Sequence, residues 1–485
     1  MLSEDVLYLP IRELQAHLRR RAFSPVELAK AYLERSRTIG AKLNAYATIT
    51  EDLALEQART AEREILAGRH RGPLHGIPYA LKDLVAVRGY KTTWGARPFA
   101  EQTFDYDATI VEKLNNAGAV LIGKAAMIEL AGGLGYTNGY ASLTGGCKNP
   151  WKTDCWTCGS SSGSGAVVAA GLAPWALGSD TRGSIICPSS WCGVSGMRPS
   201  FGRVSRYGAM AIAWSMDKLG PMARTADDCG LILSVIAGHD PKDHDSLPPS
   251  QAQFRYPAPE LQARKPPRIG RLTNVWNHVD PDVQKNFEDG LDVLKAAGAH
   301  VSDADMPDGP FEQAAELTIL IEAAASFQTL IHSGDCAKLT DPLGQINGYA
   351  SQQFSSSDYL QIQRVRTFLQ RSVDKLFEQF DVLTTAGQSD VAQPLAEPPA
   401  KTPPERRQRE NIEQRAPDGV SSLCGLPAIA VPCGFNGAGL PTAIQFIGRA
   451  GDDHAVIAAA RLFQSHSTWD KRHPDSATLA ALSAG

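Results

Sequence analysis

The sequence predicts an α/β protein built on one continuous sheet with helices covering both faces. Three observations predict it. Amphipathic helical stretches alternate with short apolar runs of strand character, a pattern that gives layered α/β architecture. The alternation resumes after each proline-rich interruption, and no internal repeat divides the 485 residues. Hydrophobic residues make up 43% of the chain and charged residues 21%, enough for a large buried core. Length alone would suggest two to three units. The resumed pattern argues instead for a single domain over residues 1–485, with a helical N-terminal segment (1–70), a core segment (72–230) and surface excursions at 240–267 and 388–410.

Taken in order, Ser24-Pro25-Val26-Glu27 is a capping box with proline at the first helical position, opening an amphipathic helix to about residue 37. A helix follows at 51–66, a buried strand at 77–81, a helix at 108–117 and a strand at 119–122. The weakly polar stretch 163–178 is too short to span a bilayer and contains Pro174, so it reads as buried core. A helix at 226–237 precedes 239–267, whose seven prolines mark a surface excursion. A strand at 268–272, helices at 281–296 and 356–380 and a strand at 382–385 come next. A second proline-rich loop, 393–404, leads into the charged run 405–410. Strands at 428–432 and 442–447 and a helix at 453–465 complete the pattern.

The formal net charge of −4 and the lack of any run of five like charges argue against a nucleic-acid surface. Met1-Leu2-Ser3-Glu4-Asp5 opens no basic-then-apolar leader. Nine cysteines, an odd number scattered along the chain, read as reduced thiols of a cytoplasmic protein.

The chemistry concentrates at Gly159-Ser160-Ser161-Ser162-Gly163-Ser164 and at Asp180-Thr181-Arg182-Gly183-Ser184, whose serine lies twenty residues after Ser164. Small glycine-flanked residues let backbone approach a reacting carbonyl, and the serines supply a nucleophile and a proton carrier. Upstream, Lys82 lies in the apolar run Gly76-Ile77-Pro78-Tyr79-Ala80-Leu81-Lys82-Asp83. Burial disfavours the charged form of lysine and makes a neutral amine base plausible. Asp83 is the obvious alternative partner for Lys82, but strand alternation turns it to the opposite face. Cys155-x-x-Cys158 has no second pair at ligand spacing, so no metal is expected, and small buried thiols are the simpler reading. Gly-x-x-x-x-Gly-Lys-(Ser/Thr) is absent, and Gly163-Ser164-Gly165 has the wrong glycine spacing for a Ser-His-Asp elbow. His75 reads as a hydrogen-bonder in a tight turn.

At these residues the chain resembles the amidase signature family of serine hydrolases. The resemblance rests on Cys158-Gly159-Ser160-Ser161-Ser162-Gly163-Ser164, Gly178-Ser179-Asp180-Thr181-Arg182-Gly183-Ser184-Ile185 and Cys192-Gly193-Val194-Ser195-Gly196-Met197-Arg198-Pro199. Outside these, Gly72-Pro73-Leu74-His75-Gly76-Ile77-Pro78, Asn149-Pro150-Trp151 and Gly425-Leu426-Pro427-Ala428-Ile429 are also family-like, so the similarity spans nearly the whole chain. It implies the amidase signature fold, a large central mixed sheet covered by helices on both faces. It also implies a nucleophile at Ser184, a bridging serine with a cis peptide bond at Ser160 and a lysine base at Lys82. The backbone N–H groups of Thr181, Arg182 and Gly183 would form the oxyanion hole, and part of the substrate pocket would fall at Leu130, Ala131, Gly132 and Gly133. Arg182 and Cys158 stand where the family has glycine, Ile186 where arginine is common, and Thr385-Ala386-Gly387 lacks an expected proline.

The implied activity is hydrolysis of a carboxamide or related acyl C–N bond (amide, anilide or carbamate) through a serine acyl-enzyme, without a cofactor. Tyr136, Trp214 and Phe354 are aromatic candidates for an apolar substrate group. The expected partner is a small-molecule amide or carbamate, with no nucleic acid, no membrane and a possible homodimer. The alternative is the glutaminase (A) subunit of a tRNA-dependent amidotransferase. Such subunits carry Arg-Arg-Ile-Met-Leu-Gly ahead of the long late helix, where this chain reads Asp341-Pro342-Leu343-Gly344-Gln345-Ile346.

Overall fold

The computed structural model of the chain describes residues 2–258, 266–395, 416–475 and 479. In chain order the strands are β1 (Tyr46–Ile49), β2 (Pro78–Lys82), β3 (Val120–Ala125), β4 (Lys148–Asn149), β5 (Lys152–Trp156), β6 (Trp175–Asp180), β7 (Ser195–Arg198), β8 (Lys218–Ala223), β9 (Arg268–Leu272), β10 (His300–Ala304), β11 (Val382–Ala386), β12 (Ala428–Phe435) and β13 (Pro441–Gly448). Eleven of them form one sheet in the order β1-β3-β2-β6-β8-β7-β12-β13-β11-β9-β10, and β4 pairs with β5 separately. The sheet is mixed: β3-β2-β6 and β11-β9-β10 are parallel, and the strands between β6 and β11 are antiparallel.

Side-chain alternation shows that both faces are covered. On β12, Ile429, Val431 and Cys433 join one hydrophobic cluster while Ala428 and Ala430 join another. On β2, Tyr79 and Leu81 join the first cluster, and Ala80 packs into a third, with the helix Ser162–Ala169. Tyr79 stacks on Trp175 of the neighbouring strand at 4.7 Å between ring centroids.

The helices form where the sequence caps and patterns them. The Ser24–Glu27 capping box opens the helix Pro25–Arg35. Ala54, Ala58, Ala61 and Ile65 line the buried stripe of Glu51–Leu66. The Asp280 side chain accepts hydrogen bonds from the amides of Asp282 and Val283, with Pro281 next, to start Pro281–Ala296. The long late helix is shorter than expected, ending at Asp374 with a 3-10 turn over Lys375–Glu378. The loop expected at 393–404 and its charged run fall, from residue 396 on, outside the described residues. No helix among the described residues is long and apolar enough to cross a membrane.

Candidate active site

Three segments converge around Lys82 where β2 and β6 end. Lys82 closes β2 and is fully buried. Its Nζ donates to Ser160 Oγ at 2.7 Å, Ser179 Oγ at 2.8 Å and Ser161 Oγ at 2.9 Å. Burial pushes the amine down to about 7, outweighing the upward pull of Asp180 and Asp217. A neutral amine can donate to two of these hydroxyls and accept from the third. Asp83 is engaged elsewhere, paired with Lys124 at 3.0 Å and bonded to Thr93, which agrees with its expected opposite face.

The peptide bond between Gly159 and Ser160 is cis. Ser160 is 1% exposed, and its carbonyl accepts from the Ile128 amide at 3.2 Å. The second segment runs from Asp180, at the end of β6, through the turn Thr181–Ser184 into the helix Ile186–Cys192. Asp180 organises that turn. Its carboxylate accepts from the amides of Gly183 and Ile185, both at 2.8 Å, and faces the buried Arg198 guanidinium at 3.4 Å. Burial raises the carboxyl, but Arg198, Lys218 and these amides together hold it below the usual carboxylate range. Thr181 Oγ1 donates to Asp217 at 2.6 Å, fixing the other side of the turn.

The turn's left-handed position is Gly183, at φ 87°, and a Cβ there would lie 2.6 Å from Asp418 Oδ2. Arg182 has no positive φ, so the arginine is accommodated without backbone strain; its guanidinium pairs with Glu312 at 3.0 Å. Gly183, whose amide was expected to help line the oxyanion hole, makes a hydrogen bond within the turn. Its N–H is engaged by the buried Asp180 carboxylate, which leaves the Thr181 and Arg182 amides as the turn's candidates to face an oxyanion. Ser184 is half-buried between fully buried neighbours. The Ser161 amide donates to the Ser184 carbonyl at 3.3 Å, and no hydrogen bond joins the Ser160 and Ser184 hydroxyls among the described residues.

The third segment is the loop at Leu130, Ala131, Gly132 and Gly133, a short 3-10 element at Glu129–Gly132 in which Leu130 and Ala131 take left-handed angles (φ 49° and 51°). Tyr136 packs over Gly132, and its hydroxyl lies 3.4 Å from where a Gly159 Cβ would be. Tyr136 meets Trp156 edge-on, and Trp156 meets Trp191 in the same way. Trp214 and Phe354, by contrast, are 42% and 40% exposed.

The thiol expectation needs correction. Cys158 and Cys187 form a disulfide, with Cα atoms 5.9 Å apart, while the other seven cysteines are free. The 155/158 spacing suggested neighbours, but the turn after β6 brings the helix Ile186–Cys192 against Cys158 instead. Sequence reasoning also gave no role to Ser161, Ser179, Asp180 or Arg198. The Ser179-Asp180 pair was visible in the motif, whereas Arg198 becomes significant only once β7 places it inside the fold.

The fold and this arrangement are those of an amidase-family enzyme. The family model described as Amidase matches residues 27–457, and the chain belongs to the amidase signature family. Its similar relatives include the A subunit of glutamyl-tRNA(Gln) amidotransferase from Geobacter metallireducens, 34% identical over 96% of this chain and 98% of the relative. Among solved structures, a bacterial aryl acylamidase matches with a TM-score of 0.84 and 26% identity over 99% of both chains. Peptide amidase from Stenotrophomonas maltophilia matches with a TM-score of 0.81 and 28% identity over 94% of this chain and 96% of that one. These relatives overturn one expectation. A small molecule as sole partner, with nucleic acid excluded, does not stand when similar chains are A subunits of an enzyme named for tRNA. Net charge was the wrong guide, because it reports the average surface and not the contacts of an assembly.

Proposed function

We propose that this chain cleaves the C–N bond of a carboxamide through an acyl-enzyme on Ser184, with Lys82 as base and Ser160 as relay. The observation that carries the proposal is the 2.7 Å contact between a buried, readily deprotonated lysine and the Ser160 hydroxyl, beside the turn that bears Ser184. Neutral Lys82 takes the Ser160 proton as Ser160 takes the Ser184 proton, and Ser184 Oγ attacks the amide carbon. The Ser160–Ser184 link closes as substrate binds, since catalytic hydrogen bonds are often loose before then. The Thr181 and Arg182 amides receive the oxyanion, at ~3–4 kcal/mol for each well-placed donor. The proton returns from Lys82 through Ser160 to the leaving nitrogen, and water releases the acid by the same route. Leu130, Ala131, Gly132 and Gly133 form the pocket wall nearest Ser160.

The setting the curated relatives support is a glutaminase component that hydrolyses the side-chain amide of glutamine within a tRNA-dependent amidotransferase. A second reading, a free-standing amidase of the peptide, anilide or carbamate type, is favoured by Asp341-Pro342-Leu343-Gly344-Gln345-Ile346 in place of Arg-Arg-Ile-Met-Leu-Gly, and by the aromatic series Tyr136, Trp156 and Trp191. Measuring kcat/KM for glutamine, a nitroanilide and a nitrophenyl carbamate separates the two. Glutamine preference supports the amidotransferase component; aryl preference supports the free-standing enzyme. Turnover by Ser184→Ala at the wild-type rate overturns both.

A further inference from the structure

The Cys158–Cys187 disulfide joins the two chain segments on which the proposed relay depends. Cys158 lies two residues before Ser160, and Cys187 lies three residues after Ser184. The Cys187 amide donates to the Gly183 carbonyl at 2.8 Å, so the second sulfur is anchored directly to the Ser184 turn. On the other side, Cys158 holds a left-handed backbone at φ 62°. A non-glycine residue keeps that conformation only where its surroundings enforce it. Here a covalent bond is part of those surroundings. Beside it, the ties between the two segments are hydrogen bonds: the Ser161 amide to the Ser184 carbonyl at 3.3 Å, the Cys192 thiol to the Thr157 carbonyl at 3.8 Å, and the Ser161 hydroxyl with the Ser179 backbone at 3.1 and 3.2 Å.

We propose that the Cys158–Cys187 disulfide is a redox-operated latch, which when closed holds the Ser160 segment in register with the Ser184 turn and when opened by a dithiol slows hydrolysis. The inference rests on the roles assigned above to Ser160 and Ser184, and it makes Cys158 and Cys187 positioning residues. Both cysteines sit at the edge of the buried region, 7% and 9% exposed, in an apolar cluster with Cys155 and Trp191. Cys155 is the nearest free thiol in sequence. Burial pushes it up to about 11, so it stays protonated at neutral pH and does not compete for the bridge. The reductant therefore comes from outside. One thiolate of a dithiol attacks one sulfur and gives a mixed disulfide; the second thiol closes the ring. The products are Cys158–SH, Cys187–SH and a cyclic disulfide, two electrons and two protons having passed to the protein. Cys158 is then free to leave its left-handed angle, taking Gly159 and Ser160 with it.

The test uses the full chain, oxidised or treated with dithiothreitol, with the state of the bridge read by intact mass. The rate at which a fluorophosphonate labels Ser184 is measured in both states, together with kcat and KM on the best amide substrate. A displaced relay lowers kcat more than it raises KM, by about tenfold or more. Reoxidation restores the rate. Cys187→Ser resembles the reduced wild type, and Cys158→Gly, which supplies the residue suited to a left-handed angle, loses the response to dithiothreitol. Equal labelling and turnover of the oxidised and fully reduced wild type overturn the latch alone, as does a dithiothreitol response retained by Cys158→Gly. Failure to label Ser184 in the oxidised chain overturns the functional reading and the latch with it.

Discussion

If Lys82 is the base, activity tracks its neutral form. Burial lowers the amine from its ordinary value near 10.5 to about 7. About one tenth of the lysine is neutral at pH 6 and about nine tenths at pH 8, so kcat/KM rises about tenfold across that interval and then levels. The fluorophosphonate labelling rate, which needs the same deprotonation of Ser184, follows the same curve. Lys82→Met removes the base while filling much of the same volume, and costs about 10²–10⁴-fold in kcat/KM. Misfolding is distinguishable from lost chemistry by the linkage sign. A lysine whose folded pKa lies below its unfolded value penalises the fold at and below pH 7, and the penalty fades as pH rises toward 10.5. Lys82→Met lifts that penalty and removes one donor from three hydroxyls, so its melting temperature at pH 6 stays near the wild-type value while activity collapses. A flat profile between pH 6 and 8, or Lys82→Met retaining most of its activity, refutes the reasoning.

Three further outcomes follow from the same geometry. Gly183→Ala places a methyl 2.6 Å from Asp418 Oδ2 at φ 87°, so the turn must shift, and Ser184 labelling falls by about 10²-fold. Arg198→Met leaves the buried Asp180 carboxylate without its paired guanidinium and Ser421 and Ser422 without their donor, a loss of about 3–5 kcal/mol by urea denaturation. Lys218 is lowered to about 7 by burial, with Arg198 adding to the effect, so the unfolded chain binds more protons there between pH 7 and 10.5 and stability rises with pH. Lys218→Met flattens that rise by up to about 1.4 kcal/mol per pH unit, read from urea melts at pH 7 and 9.

Much of the frame was legible because local signals agreed with it. Helices were expected at 51–66, 281–296 and 453–465, and each has those bounds. The central strands were harder to read. β6 contains Gly178-Ser179-Asp180, which reads as a motif and not as a strand, and β8 contains Pro221, which argues against any interior strand. Pro221 pairs with Leu177 in the ladder to β6, while the ladder to β7 ends at Gly196–Met222, one residue short of it. The helix Phe311–Ser326 escaped notice because its alanine-rich sequence carries little periodicity, and its Glu312 and Glu322 are buried through contacts made far along the chain.

The site divides in the same way. Motif order was enough to propose Lys82, Ser160 and Ser184, because family resemblance encodes position in sequence. The hydroxyl cage around Lys82 could not, since Ser161 and Ser179 reach it only through the packing of β2 beside β6. Nor could the commitment of the Gly183 amide to Asp180, or the bridge between Cys158 and Cys187, which depend on how the turn after β6 folds back.

The central claim is that Ser184 becomes covalently modified through a proton path that begins at Lys82. Peptide mass spectrometry after fluorophosphonate treatment tests it most directly. The account predicts a phosphonyl adduct on Ser184, formed at least about a hundredfold more slowly in Lys82→Ala at pH 8. An adduct on another residue, or equal labelling of Ser184 with and without Lys82, would contradict it.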